Sequence, residues 1–234
     1  NSNWSWTSIR RIIAHDYYKE DIIMEGAKEK ITSFYKNEVF QTIRKNNNLM
    51  LLSLGLFLLG SISGFYIFKV LLNNNPEIID TFLKEFQDMF GPLKEMTSFE
   101  LFYTIFFVNT RTSFLIMMLG VFIGFFPFMS LWGNGTVLGL LYGKFIAEGG
   151  TPLVFLMGIL PHGIIEIPAI LIAASQGFRL GKEIISPPLG KSRSESLRDN
   201  IRNGLKLFAI IVPMLIIAAL IEVYISAYLF NANL

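Results

Sequence analysis

Six polar side chains stand within otherwise apolar stretches of the sequence: Asn109, Arg111, Asn134, His162, Glu166 and Glu222. His162 and Glu166 are four residues apart and share one face of a helix. The carboxylate is a natural charged site for a small cation or proton, and its neighbour is an imidazole. Asn109 and Asn134 add neutral oxygens and amide donors. Gly133 and Gly135 flank Asn134 and let backbone approach closely. Charges of opposite sign at overlapping depth predict that Arg111 pairs with Glu166 or Glu222, because an unpaired arginine inside a bilayer is costly. Lys144 and Glu148, also four apart, read as an ordinary interfacial pair.

These residues need elements to hold them, and composition says which kind. Of the 234 residues, 52% are apolar and only 16% are charged, against about 25% charged in a soluble domain. The charges are clumped, leaving long stretches with none. The fold class is all-α: a polytopic transmembrane helix bundle of about five spans, with broken or half-helices and flanking amphipathic helices. Residues 1–47 form an N-terminal amphipathic region, with apolar positions such as Ile9, Ile12, Tyr17, Ile23, Ile31, Phe34, Tyr35 and Val39. Residues 48–234 form the membrane domain.

Its first span is Leu49 to Leu72, with small faces at Gly55, Gly60, Ser61, Ser63 and Gly64. A polar loop follows at 73–100, in which Pro76 opens a helix that Gly91-Pro92 ends. Residues 101–147 would make one helix of about 70 Å, more than twice a hydrocarbon core, and so must turn back. Pro127 with Gly133-Asn134-Gly135 is the expected break, giving spans at about 101–126 and 135–147. Gly158, Pro161, Gly163 and Pro168 predict a half-helix at 152–160 followed by a longer one at 161–180. A basic loop at 181–203 with an interfacial helix at 192–202 leads to a last span at 204–230, interrupted by Pro213. Lysine and arginine number eight in residues 1–47, seven in 179–206 and two in 73–100. Five spans with a cytoplasmic N-terminus and an outside C-terminus in the cell membrane satisfy all three counts.

Asn109, Gly120, Gly124, Pro127, the run Gly133-Asn134-Gly135 with Gly139, the run Leu160-Pro161-His162-Gly163-Ile164-Ile165-Glu166, and Gly177, Arg179 and Gly181 together resemble the stage II sporulation protein M family. The resemblance covers roughly 45–230. It implies an integral membrane protein whose sporulating members work with peptidoglycan hydrolases at the engulfing membrane, as organiser rather than hydrolase.

Three readings of function follow. One is a channel or transporter for a small cation or proton, using the buried polar site. The second is a non-catalytic scaffold that gathers a protein partner, or a second copy, at the lipid bilayer, with the polar cluster only locking helix positions. The third is an intramembrane metal hydrolase. It is disfavoured because His15 is the only other histidine and neither His-Glu-x-x-His nor Gly-x-Ser-x-Gly occurs. No enzyme, cofactor or bound metal is expected. With no cysteine, disulfides and thiol chemistry are excluded, and a net charge of +2 gives no basis for nucleic-acid binding.

Overall fold

A computed structural model describes residues 23–226, which are helical almost throughout. The expectations for residues 1–22, His15 among them, and for the last span beyond 226 lie outside the described residues. Helix α1 covers 23–45 and contains a π-helical turn at Tyr35–Val39. It is followed by α2 (Asn47–Asn74), α3 (Pro76–Phe90) with a 3-10 turn at Gly91–Glu95, and α4 (Ser98–Met118), which runs into a 3-10 turn at Leu119–Val121. Then come α5 (Phe125–Ala147), α6 (Pro152–Ile185) and α7 (Arg193–Ile221), the last continuing into a π-helical stretch at Glu222–Ser226. Four segments are long and apolar enough to cross a membrane: Asn47–Asn74, Ser98–Val121, Pro152–Ile185 and Arg193–Ile225. Helix α5, whose apolar run is diluted by Asn134 and four glycines, is packed along α2.

Local chemistry sets several helix starts. Thr97 and Glu100 form a capping box at α4, and Ser192 and Glu195 form one at α7. The Thr151 hydroxyl accepts from the Val154 amide, and Pro152 supplies a pre-set φ in the first turn of α6.

The reversal between α4 and α5 corrects the sequence reading. The chain turns at Leu119–Gly124, where Gly124 is left-handed at φ 77°, and not at Gly133-Asn134-Gly135. Pro127 lies in the first turn of α5, where a missing N–H costs nothing. Asn134 folds its amide back onto the Ser130 carbonyl at 2.7 Å, inside the helix. Helix α5 is therefore 23 continuous residues. Helix α6 is likewise one helix of 34 residues through Pro161 and Pro168, with no half-helix break at 160. In an apolar surround, breaking the remaining backbone bonds would cost more than losing the two that proline removes. The segments 192–202 and 204–221 are also one helix, and Pro213 does not interrupt it.

The proline at 213 has a consequence for α1. Its missing N–H leaves the Ala209 carbonyl without an i+4 donor. The Tyr35 hydroxyl donates to that carbonyl at 3.1 Å, and Lys206 pairs with Glu38 nearby. That ion pair holds the Glu38 carboxyl below the usual range, first through the hydrogen bond from Lys206 and then through its charge. Val39 is fully buried among Ala169, Ile172, Ala173, Leu207, Ile211 and Leu215. The second half of α1 thus packs into the bundle along α7.

Contacts fix the direction of every long helix. Asn46, Met117, Gly124, Gly177, Gly181 and Gly204 lie at one end, because Asn46 bonds Gln176, Gly181 abuts Gly124, and Gly204 meets Met117 and Gln176. Helices α2, α5 and α7 leave this end, and α4 and α6 return to it. It also carries the basic segment 179–206, and is called the basic end below. Helix α6 is about 51 Å long, well over a ~30 Å hydrocarbon core. The basic loop expected at 181–203 is accordingly a helical hairpin made by the end of α6 and the start of α7.

Helices α2 and α5 run parallel along a seam of glycines. A Cβ on Gly64 would stand 2.1 Å from the Thr136 carbonyl oxygen, and one on Gly139 would stand 2.0 Å from that of Ser61. Gly60 and Gly135 are equally tight, at 2.5 Å and 2.2 Å from the carbonyl oxygens of Trp132 and Phe57. Small residues at four-residue spacing let two backbones meet without a side chain between them.

Candidate functional site

Two cavities meet at His162. The first, of about 200 Å³, is lined by Asn134, His162, Gly163 and Glu166 together with Phe57, Leu131 and other apolar side chains of α2, α5 and α6. The second, of about 610 Å³, is lined by Lys144, Glu148, Phe155, Gly158, His162 and Glu222. Leu138, Leu141 and Ile159 border both. The larger cavity lies toward the end opposite the basic one, where α5 ends and α6 begins. The smaller one lies deeper. Glu166 is about 21 Å along α6 from Pro152.

His162 Nδ1 stands against Glu222 Oε2, an ion pair when the imidazole is protonated, and their side chains are 18% and 38% exposed. Glu222 comes from the π-helical end of α7. Glu166 is partly buried one turn below His162 on the same helix face. Gly163 carries no side chain between them and borders the deeper cavity. Lys144 and Glu148 form the expected i,i+4 pair at 2.5 Å. Four sequence-predicted residues, Asn134, His162, Glu166 and Glu222, thus line two neighbouring cavities that share His162.

The other two are not. Arg111 is exposed on α4 and pairs with neither Glu166 nor Glu222. The sequence placed it at the right depth but could not say which way the helix turns its face. Asn109 is half-buried on α4 and does not line either cavity. Gly135 faces α2 and not the cavity, whereas Gly133 has no atom near its absent Cβ. Pro161 lies within α6, and Pro127 packs against Gly177.

A second polar cluster, at the basic end, escaped the sequence reading. Asn46 donates to Gln176 Oε1 at 2.7 Å, and Gln176 donates to the Asn200 carbonyl at 2.9 Å. Arg179 donates to Asn46 Oδ1 at 2.6 Å and to Glu183 Oε1 at 2.9 Å. The other Glu183 oxygen accepts from Ser196 and Asn200, each at 2.5 Å. Gln176 is fully buried, and Asn46, Ser196 and Asn200 nearly so. These groups tie the α1–α2 junction to α6 and α7. The available signal was the spacing of Gln176, Arg179 and Glu183, which puts all three on one helix flank.

The glycines at this end form a second seam. A Cβ on Gly120 would be 2.2 Å from the Gly177 carbonyl oxygen, and one on Gly181 would be 2.4 Å from the Gly124 amide. The sequence matches the family of Stage II sporulation protein M over residues 18–227. It belongs to that family. It is also similar to two uncharacterized proteins of Methanocaldococcus jannaschii. One is 32% identical over 76% of this chain and 93% of its own length. The other is 26% identical over 88% of this chain and 93% of its own. No solved structure matches. As a member of the Stage II sporulation protein M family with four helices long and apolar enough to cross a membrane, the protein is a multi-pass membrane protein. The residues that signalled the family now have physical roles here. Gly120, Gly124, Gly135, Gly139, Gly177 and Gly181 are helix-to-helix contacts, and Arg179 belongs to the basic-end network.

Proposed function

We propose that this protein binds and moves a small cation, a proton first of all, through the site formed by His162, Glu166 and Glu222. The observation that supports this most is the pair of cavities that share His162. The wider one brings water-sized space to the His162–Glu222 pair, and the narrower one is lined by Glu166 and Asn134. A carboxylate set deep among apolar helices is expensive unless something compensates it, and such residues commonly mark ion pathways. The ion would enter from the end bearing Glu148 and Glu222. By the lysine and arginine counts that end faces outside, with the basic end in the cytoplasm. Leu131, Ile170 and Leu171 line the deeper cavity on its basic-end side.

The test is flux. Protein reconstituted in liposomes with a pH-sensitive dye inside should dissipate an imposed proton gradient, and Glu166→Gln should abolish the signal. No flux under any cation gradient would refute the reading.

One observation favours a second reading, a scaffold. The basic-end network is buried and mutually bonded, as suits a rigid platform for a protein partner. A partner that binds the His162→Ala/Glu166→Gln double variant as well as the wild type would point to that platform and not to the cavities.

A further inference from the structure

Helix α4 carries a charge on the outer wall of the bundle. Tyr103, Phe107, Arg111 and Leu115 follow at four-residue steps and make one row on its surface. All four are exposed, as are Val108 and Phe114 beside them. Arg111 sits about 20 Å along the helix from Ser98 and about 15 Å from Val121, near the middle of the span. Among the described residues it has no ion-pair or hydrogen-bond partner. Helical side chains lean toward the N-terminus, here the farther end, so snorkelling gives Arg111 little relief. Intramembrane arginines face protein or water because facing lipid is costly.

A second copy of this chain does not meet the need. A two-fold contact through this row sets one Arg111 against the other. The carboxylates in the described spans away from the basic end and the helix starts, Glu166 and Glu222, face the cavities. We propose that the Tyr103–Leu115 row docks a transmembrane helix of a different protein, one carrying a carboxylate near the middle of its span. A guanidinium donates two parallel hydrogen bonds to a carboxylate, which fixes register as well as attraction. Tyr103, Phe107 and Phe114 provide the flanking packing surface. This inference is independent of the ion site.

The probe is a synthetic leucine–alanine helix bearing Glu, Leu or Lys at its centre, placed with the full chain in phosphatidylcholine vesicles. The sequence has no cysteine, so Phe99→Cys gives a unique dye position at the end of the row. Energy transfer should report association about 3- to 10-fold tighter for the Glu helix than for the Leu helix. Arg111→Leu should erase that difference, and Arg111→Glu should transfer the preference to the Lys helix. Arg111→Leu should also melt no lower than the wild type, since the side chain holds nothing within the bundle. Equal association of the Glu and Leu helices overturns the proposal, as does a Glu preference that survives Arg111→Leu. Loss of the preference on adding phosphatidylglycerol assigns Arg111 to lipid phosphate and overturns it too. Transfer between two labelled copies that Arg111→Leu abolishes assigns the row to self-association, with the same result.

Discussion

Gly133 and Gly135 are two residues apart, yet their replacement by alanine should move stability in opposite directions. A Cβ on Gly135 would stand 2.2 Å from the Phe57 carbonyl oxygen and 2.9 Å from the Ser61 amide nitrogen. Ordinary contact begins at 3.4 Å, so α2 and α5 would have to separate by about 1.2 Å at that point. Both obstructing atoms are backbone, and no side-chain rotation can relieve the clash. Overpacking of a tight seam costs about 1–3 kcal/mol, and the neighbouring close contacts at Gly60 and Gly139 would loosen with it. We expect a loss of about 2–4 kcal/mol for Gly135→Ala. At Gly133 an added Cβ meets nothing within 4 Å. Alanine there removes only glycine's conformational cost in a helix, a gain of about 0.5–1 kcal/mol. Unfolding in mild detergent, followed by circular dichroism or by steric trapping, measures both. If the two positions formed a turn, both substitutions would destabilise. Equal losses at the two sites, or a neutral Gly135→Ala, would refute the helical placement of this segment and the seam with it.

The Tyr35 hydroxyl answers the carbonyl that Pro213 leaves open. Tyr35→Phe should cost about 1–2 kcal/mol, and clearly less in a Pro213→Ala background, where the Ala209 carbonyl regains its helical donor. A double-mutant cycle with no coupling would show that the hydroxyl does not serve that carbonyl. Gln176→Leu should lower stability by about 2–4 kcal/mol, because the Asn46 amide and the Asn200 carbonyl both lose a buried partner. Its melting temperature should fall well below that of Glu148→Gln, which disturbs only an exposed ion pair. Similar values for the two would mean that the network is wet and not buried.

Much of this architecture follows from the sequence by itself. A chain in a bilayer has to satisfy its backbone internally, as a helix or a closed barrel, and long apolar runs without polar alternation select the helix. Four of the expected apolar segments are helices long enough to cross a membrane. The starts at Thr97, Thr151 and Ser192 follow from capping chemistry. Even the clustering of His162, Glu166 and Glu222 was legible, because depth can be counted along a helix at a fixed rise. The facing of a helix in the membrane was not. Arg111 and Glu166 lie at similar depths, but an apolar segment surrounded by apolar solvent carries little amphipathic pattern to say which side turns inward. Glycine and proline were ambiguous for the same reason. In water they punctuate; in a bilayer the cost of an open carbonyl keeps the helix intact, and glycine marks a place where another backbone passes. Only the tertiary contacts showed that Gly135 makes room for Phe57 and that the chain turns at Gly124. They also showed that Arg111 looks out, not in, and lines neither cavity.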